Sequence, residues 1–189
     1  MRSKRLITFV ILSATLVMQL AVVQAHAVYA ANQVTPSKGL IKEIRHELVT
    51  LPYYGLFDWL EGEMRPDGTL ILRGEVVRPS TRKDAESRVK DIEGVDKVVN
   101  EIEVLPLSPS DDRVRAAIYR ALFNANSPLF RYATRAVPPI HIIVKNGRVA
   151  LKGVVATQQE SQIAFMKARS VPGVFEVKNE LRVESEASH

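Results

Sequence analysis

Apolar residues recur along this chain in two rhythms, one helical and one alternating, and the order of those rhythms occurs twice. After a polar stretch at 31–37, Ile41, Ile44 and Leu48 fall at helical spacing and predict a helix from about Ser37 to Val49. A strand is expected from about Phe57 to Met64, then a turn at Pro66-Asp67-Gly68. In the strand that follows, Leu70, Leu72 and Val76 alternate onto one face. Helical spacing returns at Ala85, Val89 and Ile92, with Ser80 or Thr81 expected as the cap and Gly94 as the stop. Val98, Ile102 and Val104 then read as a third strand, with Asn100 among them.

The second half repeats the plan. Ser110 is expected to cap a helix with Asp111 and Asp112 in its first turn and Val114, Ile118, Ala121 and Leu122 facing inward. A long connection at 124–139 leads to a strand near Ile140 to Val144, and Asn146-Gly147 is a strong hairpin signal. Val149, Leu151 and Val155 alternate, Thr157 and Glu160 form a capping box, and Ala164, Ala168 and Val171 make a helical stripe ended by Pro172-Gly173. A last strand closes at about Val183, followed by a polar tail.

The two halves align without a gap at a constant offset of 79 residues. Between Gly68–Val104 and Gly147–Val183, 11 of 37 paired positions are identical, among them Gly74/Gly153, Val76/Val155, Gly94/Gly173 and Asn100/Asn179. Turn and core positions are what a duplication retains, so the chain reads as two copies of one small domain, 37–106 and 110–184. Prolines 106 and 109 make the linker between them short and stiff. Within each copy the second and third strands flank a helix, which makes them parallel if they are neighbours, whereas the first two form an antiparallel hairpin. The predicted class is α+β: two tandem αββαβ domains, each a three-stranded mixed sheet with two helices packed on one face.

The N-terminus lies outside this pattern. Arg2, Lys4 and Arg5 precede an uncharged apolar run from Leu6 to Val23, and small residues follow with candidate cleavage points after Ala25, Ala27 and Ala30. Residues 1–27 have the layout of a secretory signal peptide, cut between 25 and 31; an uncleaved anchor is the alternative. The chain has no cysteine, which excludes a lipidated cysteine, disulfides and thiolate chemistry. Charge is uneven. Residues 31–106 carry 11 basic and 14 acidic side chains, whereas 107–148 carry seven basic against Asp111 and Asp112. The net charge of +5 therefore arises in one stretch of the second copy.

Catalytic chemistry finds little support. His26, His46, His141 and His189 are not spaced as metal ligands, and His141 alternates with Ile140 and Ile142, so it should point away from the core. Asp111-Asp112 is accounted for by capping, and no glycine-rich phosphate loop or nucleophile elbow is present. The reading is a non-enzymatic protein with no metal and no cofactor. Three features remain. The first is the basic and aromatic stretch 113–148: Arg113, Arg120, Phe130, Arg131, Tyr132, Arg135, Lys145 and Arg148 suit an anionic bilayer, with phosphates drawing the cations and rings settling among the headgroups. The bland reading has Arg113, Arg115 and Arg120 on a solvated helix face and Phe130 in the core. The second is Tyr53, Tyr54, Phe57 and Trp59, expected to fill the first core or an interdomain contact. The third is Asn100 and Asn179, expected to brace a strand or turn through side-chain hydrogen bonds.

The hairpin NGRVALKGVV (146–155) and the closing PGVFEVKNELRV (172–183), together with GTLILRGEVV and GVDKVVNEIEV in the first copy, resemble the BON domain. LPYYGLFDWLEGEM departs from that pattern, being more aromatic and more acidic. The resemblance implies αββαβ domains in a periplasmic or envelope protein that binds without catalysis, most often to phospholipid membrane, with a role in osmotic or envelope stress. It favours an anionic phospholipid surface as partner, with an envelope protein or scaffold partner as the alternative. Nucleic acid is not expected, given export and an acidic first half.

Overall fold

The computed structural model describes residues 36–135, 137 and 139–184. The expected signal peptide and the C-terminal tail lie outside these residues. The elements run α1 (Lys38–Val49), β1 (Trp59–Met64), β2 (Thr69–Val76), α2 (Pro79–Val89), β3 (Lys97–Asn100), β4 (Glu103–Val104), α3 (Pro109–Leu122), α4 (Phe130–Ala133), β5 (Ile140–Lys145), β6 (Arg148–Val155), α5 (Gln158–Arg169) and β7 (Glu176–Val183). Each half builds a mixed sheet with an antiparallel hairpin and a parallel third strand, ordered β1-β2-β3 and β5-β6-β7. In the first sheet the third strand runs in two pieces, β3 and β4, both parallel to β2. The predicted class is the observed one.

Each sheet is covered by two helices on one face. Ile44, Leu48, Leu70, Leu72, Val76, Ala85 and Val89 form the first core with Ile92 and Ile102. Val114, Ile118, Leu122, Ile142, Leu151, Val155 and Ala164 are central to the second. At about 1.5–3 kcal/mol per buried aliphatic side chain, these alternating positions are the main source of stability for domains of this size. The identities between the copies have physical causes. A Cβ on Gly74 would lie 1.9 Å from the Trp59 carbonyl oxygen, and one on Gly153 would lie 2.1 Å from that of Pro139. Only glycine lets the first strand of each hairpin come so close. Asn100 donates to the Arg82 carbonyl and accepts from Ile102 N–H; Asn179 repeats both bonds with Ser161 and Leu181. The two asparagines brace the third strand against the second helix, as expected.

Several local expectations are corrected. α2 opens on Arg78 and Pro79, not on Ser80 or Thr81, and its cap makes no side-chain bond; proline needs no amide partner at that position. α3 is capped by Ser108, whose hydroxyl accepts from Asp111 N–H, not by Ser110. Asp111 does more than favour a helix start: buried, it accepts from the Asn146 and Gly147 N–H groups at 2.8 and 2.9 Å and pins the hairpin. Arg115, expected on a solvated face, is 4% exposed and donates to the Val144 carbonyl and to Asp112. The Thr157–Glu160 capping box is present, and Asn146 and Gly147 both take the positive φ that their hairpin requires.

The two domains meet through segment 51–58 and the helix-free faces of their sheets. β1 begins at Trp59 rather than near Phe57, because the residues before it leave the first domain. Leu56 and Phe57 pack on the second core, and the Leu56 carbonyl accepts from Ile142 N–H at 2.8 Å on the outer edge of β5. Asp58, 1% exposed, accepts from Gly55 and Val77 N–H and holds the segment in this course. His141 does leave the second core, but it is buried at the joint, 5.1 Å from the Trp59 ring and 5.6 Å from Tyr54. Lys152 reaches Glu75 at 3.4 Å, and Lys145 pairs with Glu103. Ile71 and Ile143, on the helix-free faces, are buried although they belong to neither core. The interdomain role anticipated for Tyr54, Phe57 and Trp59 is observed; Tyr53 is instead 69% exposed under the Arg78 guanidinium.

Candidate functional site

The basic residues of 113–148 do not form one patch. Asp111 ties the start of α3 to the 146–147 hairpin, so Arg113, Lys145 and Arg148 gather at that end of the second domain. Arg131, Tyr132 and Arg135 lie at the other end, where Tyr132 meets Ala156. β5 spans the distance between them, and six residues of strand are about 20 Å. Arg120, in the last turn of α3, is exposed on its outer face. At the hairpin end Lys145 pairs with Glu103 and Arg148 lies 3.5 Å from Glu176, so two of its three cations have acidic neighbours.

The 130–137 end is built differently. α4 is a single turn whose Tyr132 enters the core, 3% exposed, and its hydroxyl donates to Glu160 at 2.8 Å. Glu160, fixed by the capping box, also accepts from Arg131 at 2.6 Å. The Tyr132 hydroxyl, foremost, and then Glu160 push the Arg131 guanidinium's pKa above its ordinary value, so this cation keeps its proton. Arg131 and Arg135 stand 4.9 and 5.5 Å from the centre of the Tyr132 ring, which orders both guanidinium groups on one buried aromatic platform. Beside them Phe130 and Val137 are each 44% exposed. Phe130 is therefore a surface side chain and not a core one. Two ordered arginines with two exposed apolar groups can meet an anionic, partly apolar surface.

Between this segment and the first domain runs a groove of about 1,090 Å³. Its walls include α1 with Arg45, the edge strand β1 with Trp59, and β7 with Arg182. Tyr54 lines it as well, and burial pushes its phenol up to about 12. Burial also raises the Asp58 carboxyl above its ordinary range. Sequence reasoning missed Arg45 and Arg182, which sit on ordinary polar faces of their own elements; only the packing of the domains brings them together. It also missed Phe175, 84% exposed beside the 146–147 hairpin. A signal existed there, since the first copy carries Asp96 at the corresponding turn position.

Among the described residues, no three histidine or acidic side chains cluster as a metal site would need, and no helix is long and apolar enough to cross a membrane. Fold and site define a tandem αββαβ protein with a basic, aromatic end on its second domain. The BON domain model matches residues 66–106 and 110–185, and the chain belongs to the BON domain family. The first match begins after α1 and β1, where the first copy diverges. No curated protein matches the chain. Two solved structures of CdsD, a structural protein of the type III secretion system of Chlamydia trachomatis, are similar at 13% and 14% identity, each with a TM-score of 0.29. Both alignments cover 79% of this chain, with 99% and 95% of the respective CdsD chains.

Proposed function

We propose that this is an exported, non-enzymatic binding protein of the periplasm and cell envelope that docks peripherally on anionic phospholipid through its second domain. The observation that supports this most is the 130–137 connection, where exposed Phe130 and Val137 flank Arg131 and Arg135 on the Tyr132 platform. Phosphates would draw the two cations, and the apolar groups would enter the headgroup layer. Tyr132 supports the site from within. The cations at the hairpin end, about 20 Å away along β5, add long-range attraction without sharing the docking surface.

Each cation near such a surface contributes about 1 kcal/mol. Arg131 shares its charge with Glu160, so replacing Arg131 and Arg135 together by glutamine should weaken binding by about 1–2 kcal/mol, roughly 5- to 30-fold. Co-sedimentation with phosphatidylglycerol-containing vesicles, against phosphatidylcholine alone, tests the proposal. Binding should require the anionic lipid, fall with salt, and fall again in the double variant. Equal recovery with both vesicle types would overturn it. An envelope protein partner is the second reading, favoured by Phe175, whose exposed ring stands over Gly147 with no core to enter. That reading predicts a partner whose recovery is lost in Phe175→Ser and is indifferent to lipid.

A further inference from the structure

We propose that the groove between the two domains binds one organic anion, a carboxylate or phosphate head on an apolar body, with the head held by Arg45, Arg135 and Arg182. These three arginines come from α1, from the connection before β5 and from β7, and all three line one groove of about 1,090 Å³. Among the described residues none of the three makes an ion pair. The other two cations on the lining are already matched, Arg131 to Glu160 and Lys152 to Glu75 and Glu180. Of the carboxylates on the lining, Glu180 pairs with Lys178 and Lys152, Glu61 accepts only from the neutral Trp59 indole and so keeps its negative charge, and Glu184 lines the groove just beyond β7. With Glu61 and Glu184 set against Arg45, Arg135 and Arg182, the groove keeps a surplus of one positive charge.

Arginines from separate elements lining one cleft raise its potential, and each offers a planar fork that fits two oxygens of a carboxylate or phosphate. The rest of the wall suits an apolar body. Ile41, Leu48 and Val49 of α1 line one side, with Ile41 44% exposed although it continues that helix's apolar stripe. Tyr54 and Trp59 line the floor. A binding site of this size that is partly apolar, with a few convergent polar groups, is ordinary for a small ligand, and interdomain clefts are a common place for one. The proposal goes beyond bilayer docking: Arg45 and Arg182 lie outside the 130–137 surface, and occupancy needs no membrane.

Trp59 is the only tryptophan of the chain and lines the groove, so its emission reports occupancy directly. The full chain is titrated with dodecyl phosphate below its micelle concentration, beside inorganic phosphate and dodecyl maltoside. A saturable one-site change is expected with dodecyl phosphate. It should weaken at least tenfold in Arg45→Gln and in Arg182→Gln, and stay unchanged in Lys83→Gln, an exposed α2 position outside the groove lining. Both residues are exposed, and far-UV circular dichroism verifies that the variants fold. An equal response to dodecyl maltoside, an equal response to inorganic phosphate, or full binding by both arginine variants would each overturn the assignment. Vesicle sedimentation of Arg45→Gln and Arg182→Gln separates the two proposals, since bilayer docking should survive in them whether or not the groove binds.

Discussion

Residues 51–58 and 130–137 occupy the same place in the two copies, between the first helix and the first strand, yet they have opposite surroundings. In the first copy the connection crosses to the second domain, where Leu56 bonds the edge of β5 and packs with Phe57 on the second core. In the second copy it folds as α4 and presents Phe130, Arg131, Arg135 and Val137 at the surface. A tandem pair has one joint and therefore needs one such connector; the second is released from that duty. The sequence difference follows, with apolar and aromatic groups where the segment is covered and arginines where it meets solvent.

The backbone requirement shared by both copies should give the largest effect when broken. Gly153→Ala would force a Cβ against the Pro139 carbonyl at a positive φ, and should cost about 3 kcal/mol in urea unfolding. Gly74→Ala should behave alike; a tolerated alanine at either position would contradict the equivalence of the hairpins. Next comes the latch. Asp58→Ala strands the Gly55 and Val77 N–H groups and should cost about 2 kcal/mol, with no counterpart effect from Val137→Ala in the second copy.

In Leu56→Ala the altered residue belongs to the first copy, but the damage should appear in the second. A loss of about 1–2 kcal/mol is expected, with faster hydrogen exchange at Ile142. Tyr54 gives a pH test of the same joint. Its folded pKa is raised from 10 to about 12, chiefly by burial, so its contribution is complete below pH 10 and is lost as pH rises through 12. Stability should fall over that interval, and Tyr54→Phe should flatten the fall. Smallest of all for stability is Phe130→Ser, within about 0.5 kcal/mol for a surface position, although vesicle binding should weaken.

Much of the fold could be read from the chain because periodicity is a local property. The stripe Ala85–Val89–Ile92, the alternation Leu70–Leu72–Val76 and the asparagine braces each need only a few neighbouring residues to be recognised. Caps were less legible: the sequence points to Ser110, and Ser108 serves instead because Pro109 falls inside the helix rather than before it. The joint was legible in kind but not in detail. An aromatic run with glycine and proline looked like a contact segment, yet nothing local says that Leu56 bonds Ile142. Arg115 and Arg182 mark the limit from opposite sides. Both are arginines on polar-looking positions, and only tertiary packing buries one and aims the other into a groove.

Hydrogen–deuterium exchange on the full chain, with and without phosphatidylglycerol vesicles, tests the contrast between the two connections most directly. Exchange should be slow at Asp58 and at Ile142, the β5 amide bonded to Leu56, in both conditions, with new protection at 130–137 only when vesicles are present. Fast exchange at Ile142 without vesicles, or vesicle protection that spares 130–137, would contradict it.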